Sequence, residues 1–315
     1  IIARMLKLNS IPASQIIIQH LTLWTGFLGA VLATRQNKLL ALTRKPLFVS
    51  DEHFDFGRWI SKSVSLIILC ALIWGSIQLI KTEFLFPIDI APHIPRWVAQ
   101  IIMPVGFIFI ALEVILRSGH NAMYRSSILM VTIGWYIICL SGNLQDSGWF
   151  PWIGSFIILF SIYQGLPIFL ALGGLSVLYF WIDYTPIASI AAETYRIVVS
   201  PTLPTIPLFT LAGYILAESG APKRIYNFFI HAFGWLHGGT PVIVVLLCAF
   251  FTALTGGSGV TILALGGILY PLLIKEGYSE KFSLGLITVS GSLGLLFPPS
   301  LPVIIYGVTA GVNVK

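Results

Sequence analysis

Two interruptions decide how this chain is read: Thr255-Gly256-Gly257-Ser258-Gly259, in the middle of the apolar run from Pro241 to Ile274, and Phe297-Pro298-Pro299-Ser300, in the run from Phe282 to Ala310. Neither can continue a helix. In hydrocarbon an unpaired backbone N–H or C=O is expensive, so irregular backbone at that depth survives only where protein buries it or it lines a cavity. Two such breaks in succession mark a binding site, of the kind in which half-helix dipoles and freed carbonyls hold an ion and a solute near the bilayer midplane. Close packing by small residues is the competing explanation. It suffices for Gly266, Gly267, Gly285 and Gly291, but it does not require two neighbouring helices to break.

Composition agrees with a membrane setting. Of 315 residues 57% are hydrophobic and 10% charged, against roughly 25% charged in soluble domains. The chain reads as an all-α polytopic membrane protein. Its 18 Lys and Arg exceed 12 Asp and Glu, yet they form no basic block, so they fit cytoplasmic loops rather than nucleic acid. Cys70, Cys139 and Cys248 each sit in an apolar run without metal-ligand or pairing spacing and read as small core hydrophobes.

Working outward, the spans expected are 16–34, 63–80, 97–116, 126–140, 149–163, 168–182 and 206–217, with 183–204 and 226–237 lying along the interface. Arg35, Lys38, Arg44, Lys45, Arg58 and Lys62 in one loop point to the cytoplasm, and the mixed loop from Lys81 to Arg96 to the periplasm. Glu113 stands four residues before Arg117, where an ion pair would neutralise it. Trp24, Trp59, Trp97, Trp149, Trp152 and Trp181 are placed as interfacial anchors, whereas 240–310 contains no Trp and is expected to travel against the earlier helices. Lys223 and Arg224 precede the run Pro241 to Ile274, and Lys275 and Lys281 follow it. Both its ends therefore belong inside, and it must turn back as a re-entrant hairpin. Arms of about 15 residues reach some 22 Å, past the middle of a roughly 30 Å core. The segment from Phe282 climbs to a similar depth before its prolines break it.

At that meeting point the oxygens are uncharged: Thr252, Thr255, Ser258, Thr261, Ser290, Ser292 and Ser300, with the carbonyls released around the glycines and prolines. Hydroxyl and carbonyl oxygens suit a hard monovalent cation such as sodium, and transition metals would want His or Cys. The candidate sodium ligands are Thr255, Gly256, Gly257, Ser258, Gly259, Ser292, Gly294 and Pro298. Ser258, Thr261, Pro299 and Ser300 are the candidate substrate contacts. Gly257 is expected to need positive φ and close approach. An embedded enzyme finds no support, since His231 and His237, six residues apart, do not share a helical face. An ion channel is the alternative, because re-entrant helices also build filters, as is a structural subunit of a larger complex.

The run from Pro207-Leu208-Phe209-Thr210-Leu211-Ala212-Gly213, through the Gly-Gly-Ser-Gly tip, to Leu293-Gly294-Leu295-Leu296-Phe297-Pro298-Pro299-Ser300 and Ile305-Tyr306-Gly307 resembles the first half of the large membrane subunit of TRAP transporters, the tripartite ATP-independent periplasmic uptake systems. Residues 16–120 resemble their small subunit through Trp24, Gly26, Phe27, Gly29, Ala30 and Arg35. The resemblance implies the fused variety in the bacterial inner membrane. Residues 1–125 would be a small-subunit-like scaffold, 126–147 a joining helix, 148–239 large-subunit scaffold helices and interfacial arms, and 240–315 the first half of the transport domain. It further implies an elevator fold, sodium coupling, and a periplasmic substrate-binding protein that delivers a small organic anion such as a dicarboxylate or sialic acid. Where many members carry an acidic residue after the tip, this chain has Val260-Thr261-Ile262-Leu263-Ala264-Leu265, so no acid-dependent role carries over there. The second inverted repeat of the family's large subunit is expected to lie beyond Lys315.

Overall fold

The computed structural model describes residues 14–42, 56–91, 94–118, 122–140, 144–233, 238–297 and 300–312. Arg44, Lys45, His237, Pro298 and Pro299 lie outside the described residues. The chain divides into two compact units, 1–199 and 200–315.

The first unit holds α1 (Ser14–Arg35), α2 (Phe56–Leu85), a two-stranded clip of β1 (Asp89–Ala91) and β2 (Ile94–Pro95), α3 (Arg96–Gln100), α4 (Ile102–Leu116), α5 (Ala122–Leu140), α6 (Phe150–Tyr163), α7 (Ile168–Ile182) and α8 (Ala188–Val198). Helix α2 is its axis and packs against α4, α5, α6, α7 and α8. Leu66 and Leu69 on α2, Ile110 on α4, Ile128 on α5, Leu166 and Leu170 make the core. The 30 residues of α2 reach about 45 Å at ~1.5 Å each. The helix begins well before the span expected at 63–80, because Trp59 is drawn into the bundle: its Nε1 donates to Ser127 Oγ at 2.9 Å. Arg58 and Lys62, expected in a loop, are therefore on the first two turns of α2.

Between Arg96 and Leu116 the helix pauses at Ile101. Pro104 has no N–H for the carbonyl of Gln100, four residues back. The expected pair of Arg117 and Glu113 forms at 2.9 Å. Trp24 is in the middle of α1, away from either end, and its indole N–H donates to the Ala99 carbonyl at 3.1 Å. Within the segment expected at the interface, α8 carries an exposed Arg196–Glu193 pair, Nε to Oε2 at 2.8 Å. Ser14–Arg35, Phe56–Leu85, Arg96–Leu116 and Ala122–Leu140 are long and apolar enough to cross a membrane, and α6, α7, Thr205–Leu216, α11 and Ala264–Lys275 are shorter apolar helices.

The second unit holds α9 (Thr205–Glu218), α10 (Ala221–Phe233), α11 (Gly239–Thr255), α12 (Ser258–Lys275), α13 (Glu280–Leu293), a 3-10 turn (Gly294–Leu296) and α14 (Leu301–Ala310). Here α11 is the axis, packed by α13, α12, α9, α10 and the 3-10 turn. Ile243, Val244, Leu247, Cys248, Phe251, Thr252 and Thr255 are buried along it, a helical spacing that gives one continuous apolar face ending in two hydroxyls. Helices α9 and α10, read from sequence as scaffold, pack on α11 inside this unit. Ser279 caps α13, its Oγ accepting from the Phe282 N–H at 3.3 Å, and Glu280 in the first turn suits the helix dipole. Of the glycines read as packing positions, Gly291 is one: a Cβ there would lie 2.9 Å from Ile262 Cγ1, whereas Gly266, Gly267 and Gly285 face open space. Pro271, inside α12, leaves the carbonyl of Gly267, four residues back, without its helical donor.

Candidate functional site

The first break is narrower than its sequence suggests. Gly256 and Gly257 alone separate α11 from α12, and Ser258 and Gly259 already belong to the first turn of α12. Gly256 is left-handed, φ 68°, and its N–H bonds the Thr252 carbonyl at 2.8 Å, which closes α11. Gly257 is extended, φ −143°, and caps α12. The positive φ expected at Gly257 is thus at Gly256, because the helix end, rather than the middle of the tip, needs the left-handed residue. The two arms pack side by side.

Around the tip, Thr255 Oγ1 and Thr261 Oγ1 share a hydrogen bond at 3.0 Å, and each stands 3.4 Å from the Gly257 carbonyl oxygen. Both threonines are buried. One turn before, Thr252 is fully buried and its Oγ1 has no hydrogen-bond partner. Burying a hydroxyl unpaired costs on the order of 1–3 kcal/mol, so this oxygen lowers the stability of the fold as it stands. Ser258 is half-buried, Gly259 exposed.

The second break lies against the first. Helix α13 tightens into the 3-10 turn, Phe297 is extended, and α14 starts at Leu301. A Cβ on Gly294 would fall 2.3 Å from the Ala249 carbonyl oxygen and 2.5 Å from Thr252 Cβ, so the turn rests directly on the last turns of α11. Gly291 approaches the tip as well, since a Cβ there would lie 3.5 Å from the Ser258 carbonyl oxygen. Ser300 is buried and spans the break, its Oγ donating to the Leu295 carbonyl at 2.5 Å. Ser290 is buried and Ser292 exposed. The structure therefore gathers Thr252, Thr255, Gly256, Gly257, Thr261 and Gly294, keeps Ser300 at the second break, and leaves Gly259 and Ser292 at the surface of this unit. A further contributor is Gly213 on α9, where a Cβ would lie 2.7 Å from Thr255 Cα. Its signal was a glycine inside an apolar helical run.

Uncharged buried oxygens fit a monovalent cation: hydroxyl lone pairs at Thr252, Thr255 and Thr261, with the Gly257 carbonyl beside them. No group of three or more His, Cys, Asp or Glu that could hold a metal occurs among the described residues.

Comparison with known proteins gives these features a lineage. A family model of the tripartite ATP-independent periplasmic transporter DctM component matches residues 153–315, and one of the DctQ component matches residues 1–120. Helix α5 lies between the two matches. The isethionate TRAP transporter permease protein DctMQ of Oleidesulfovibrio alaskensis is 27% identical over 305 residues, 93% of this chain and 47% of that protein. The C4-dicarboxylate TRAP transporter large permease protein DctM of Rhodobacter capsulatus is 38% identical over 153 residues, 48% of this chain and 34% of its own length. The ectoine TRAP transporter large permease protein TeaC of Halomonas elongata is 29% identical over 153 residues, 48% of this chain and 36% of its own length. The chain thus spans less than half the length of these relatives. They are transporter permeases and not enzymes, and with the apolar helices they make this a multi-pass bacterial membrane protein. The chain belongs to the tripartite ATP-independent periplasmic transporter family, with the small and large membrane components fused in one polypeptide.

Proposed function

We propose that the protein carries out sodium-coupled uptake of a small organic anion across the bacterial inner membrane, receiving it from a periplasmic substrate-binding protein. The observation that carries this reading is the contact of two helix breaks at Thr252 and Gly294, with buried, uncharged oxygens around it. Thr252, Thr255, Thr261 and the Gly257 carbonyl would hold the ion. A bound sodium supplies a fixed positive charge at a site that otherwise has none. The first turns of α12 and α14 present backbone N–H groups that a carboxylate or sulfonate could accept from. The names of the relatives, a C4-dicarboxylate, an isethionate and an ectoine permease, support a small charged solute of that class. In this reading the hairpin of α11 and α12 is re-entrant and moves as a body with α13 and α14 in an elevator step.

Counterflow in proteoliposomes with the binding protein added tests it. Thr255→Val and Thr261→Val should each raise the half-saturating sodium concentration by about tenfold, the equivalent of ~1.4 kcal/mol of ion binding, alongside a lower unfolding temperature from the broken Thr255–Thr261 hydrogen bond. Transport that is independent of sodium, or unchanged sodium titrations in both variants, would sink the ion assignment. Uptake without any binding protein would sink the tripartite one.

A further inference from the structure

Cations gather where α2 begins, α4 ends and α5 begins. The Trp59–Ser127 hydrogen bond, at 2.9 Å, sets the first turns of α2 and α5 side by side. Arg125, on that turn of α5, donates to the Leu116 carbonyl at the end of α4 at 2.8 Å. Arg117 follows at once, and Arg58 and Lys62, four residues apart, share a face of α2. Among the described residues the carboxylate at this level is Glu113, which is engaged by Arg117 at 2.9 Å.

Lys62 stands out within this group. It is half-buried, no carboxylate or hydrogen-bond partner meets it among the described residues, and the charges that act on it are those of Arg58 and Arg117. An ammonium partly removed from water and flanked by like charges is costly, and an anion seated between them removes that cost. The location narrows the anion. Three of the long apolar helices end here, and the Trp59 indole places an amphipathic ring at the same level, as at a membrane–water interface. Basic niches between transmembrane helices are where anionic headgroups settle. We infer that Arg58, Lys62 and Arg117 seat the phosphate of an anionic phospholipid headgroup.

Thermal unfolding of the purified protein in nanodiscs is the test, comparing phosphatidylcholine alone with phosphatidylcholine plus phosphatidylglycerol. The anionic lipid should raise the unfolding temperature of the parent protein by several degrees. The rise should shrink by about half or more in Lys62→Gln and in Arg58→Gln, and persist in Lys62→Arg. Arg58 is exposed, so its variant reports on the niche even where Lys62→Gln disturbs packing. An equal rise in both glutamine variants and the parent overturns the site. Inorganic phosphate at millimolar concentration, in the discs lacking phosphatidylglycerol, should do nothing. If it reproduces the rise, the lipid assignment is overturned in favour of free phosphate.

Discussion

Thr252 and Gly294 meet at a point where stability and the proposed sodium site would make opposite demands. The Thr252 hydroxyl is buried without a partner, so Thr252→Val removes an unsatisfied group at nearly constant volume. Thermal unfolding should show the variant as stable as the parent or more so, by up to ~1 kcal/mol, while its sodium titration in counterflow weakens. A hydroxyl retained only for packing would leave the titration untouched. Gly294→Ala asks the converse. Its added methyl meets backbone, the Ala249 carbonyl oxygen at 2.3 Å, which cannot swing aside as a side-chain tip would. A loss of about 1–3 kcal/mol and of transport is expected, and unchanged unfolding would show that the 3-10 turn does not rest on α11. In the sequence Thr252 was one hydroxyl among several, and nothing there told which of them the fold leaves unpaired. Pairing is decided by neighbours brought in from elsewhere in the chain.

The hairpin of α11 and α12 is set by its two-residue link. Gly256 at φ 68° occupies the left-handed region, whereas Gly257 at φ −143° is extended backbone open to any residue. Gly256→Ala should therefore lower stability by roughly 1 kcal/mol through backbone strain alone, and the same change at Gly257 should carry no such backbone strain. Equal unfolding temperatures for the two would contradict the assigned helix end. The pattern of glycines made the break legible, but not which glycine bears the strain. That depends on where α11 makes its last hydrogen bond, and the bond from Gly256 to Thr252 ends it. The second break was legible in its double proline, and its 3-10 entry through Gly294–Leu296 was not, because a 3-10 turn answers to packing against α11 more than to local propensity.

Across the whole molecule, the region matched by the small component and the region matched by the large one share a core. Helix α2, inside residues 1–120, packs on α7 and α8, inside residues 153–315, and on α6, most of which lies there too. Loop charge leads to an expected orientation in the bilayer, which thiol labelling tests. In a background lacking Cys70, Cys139 and Cys248, cysteines at the exposed Lys38 and Lys81 should react with an impermeant thiol reagent from opposite faces of oriented vesicles. Labelling of both from one face would overturn the topology, and with it the argument that α11 and α12 re-enter from the inside.

Composition and the two interruptions were enough by themselves to point to a helical, multi-pass membrane protein with two helix breaks between 240 and 310, and the motifs around them pointed to the family. These signals are local. Hydrocarbon tolerates so few polar backbone groups that each exception shows in the primary structure. Tertiary structure alone decided the rest. It extended α2 back over Arg58 and Lys62, because Trp59 found a partner on α5, and it moved the left-handed residue to Gly256. It also set Gly294 on Thr252, since which surfaces of two apolar helices touch is chosen by shape and small side chains rather than by any periodicity in either one.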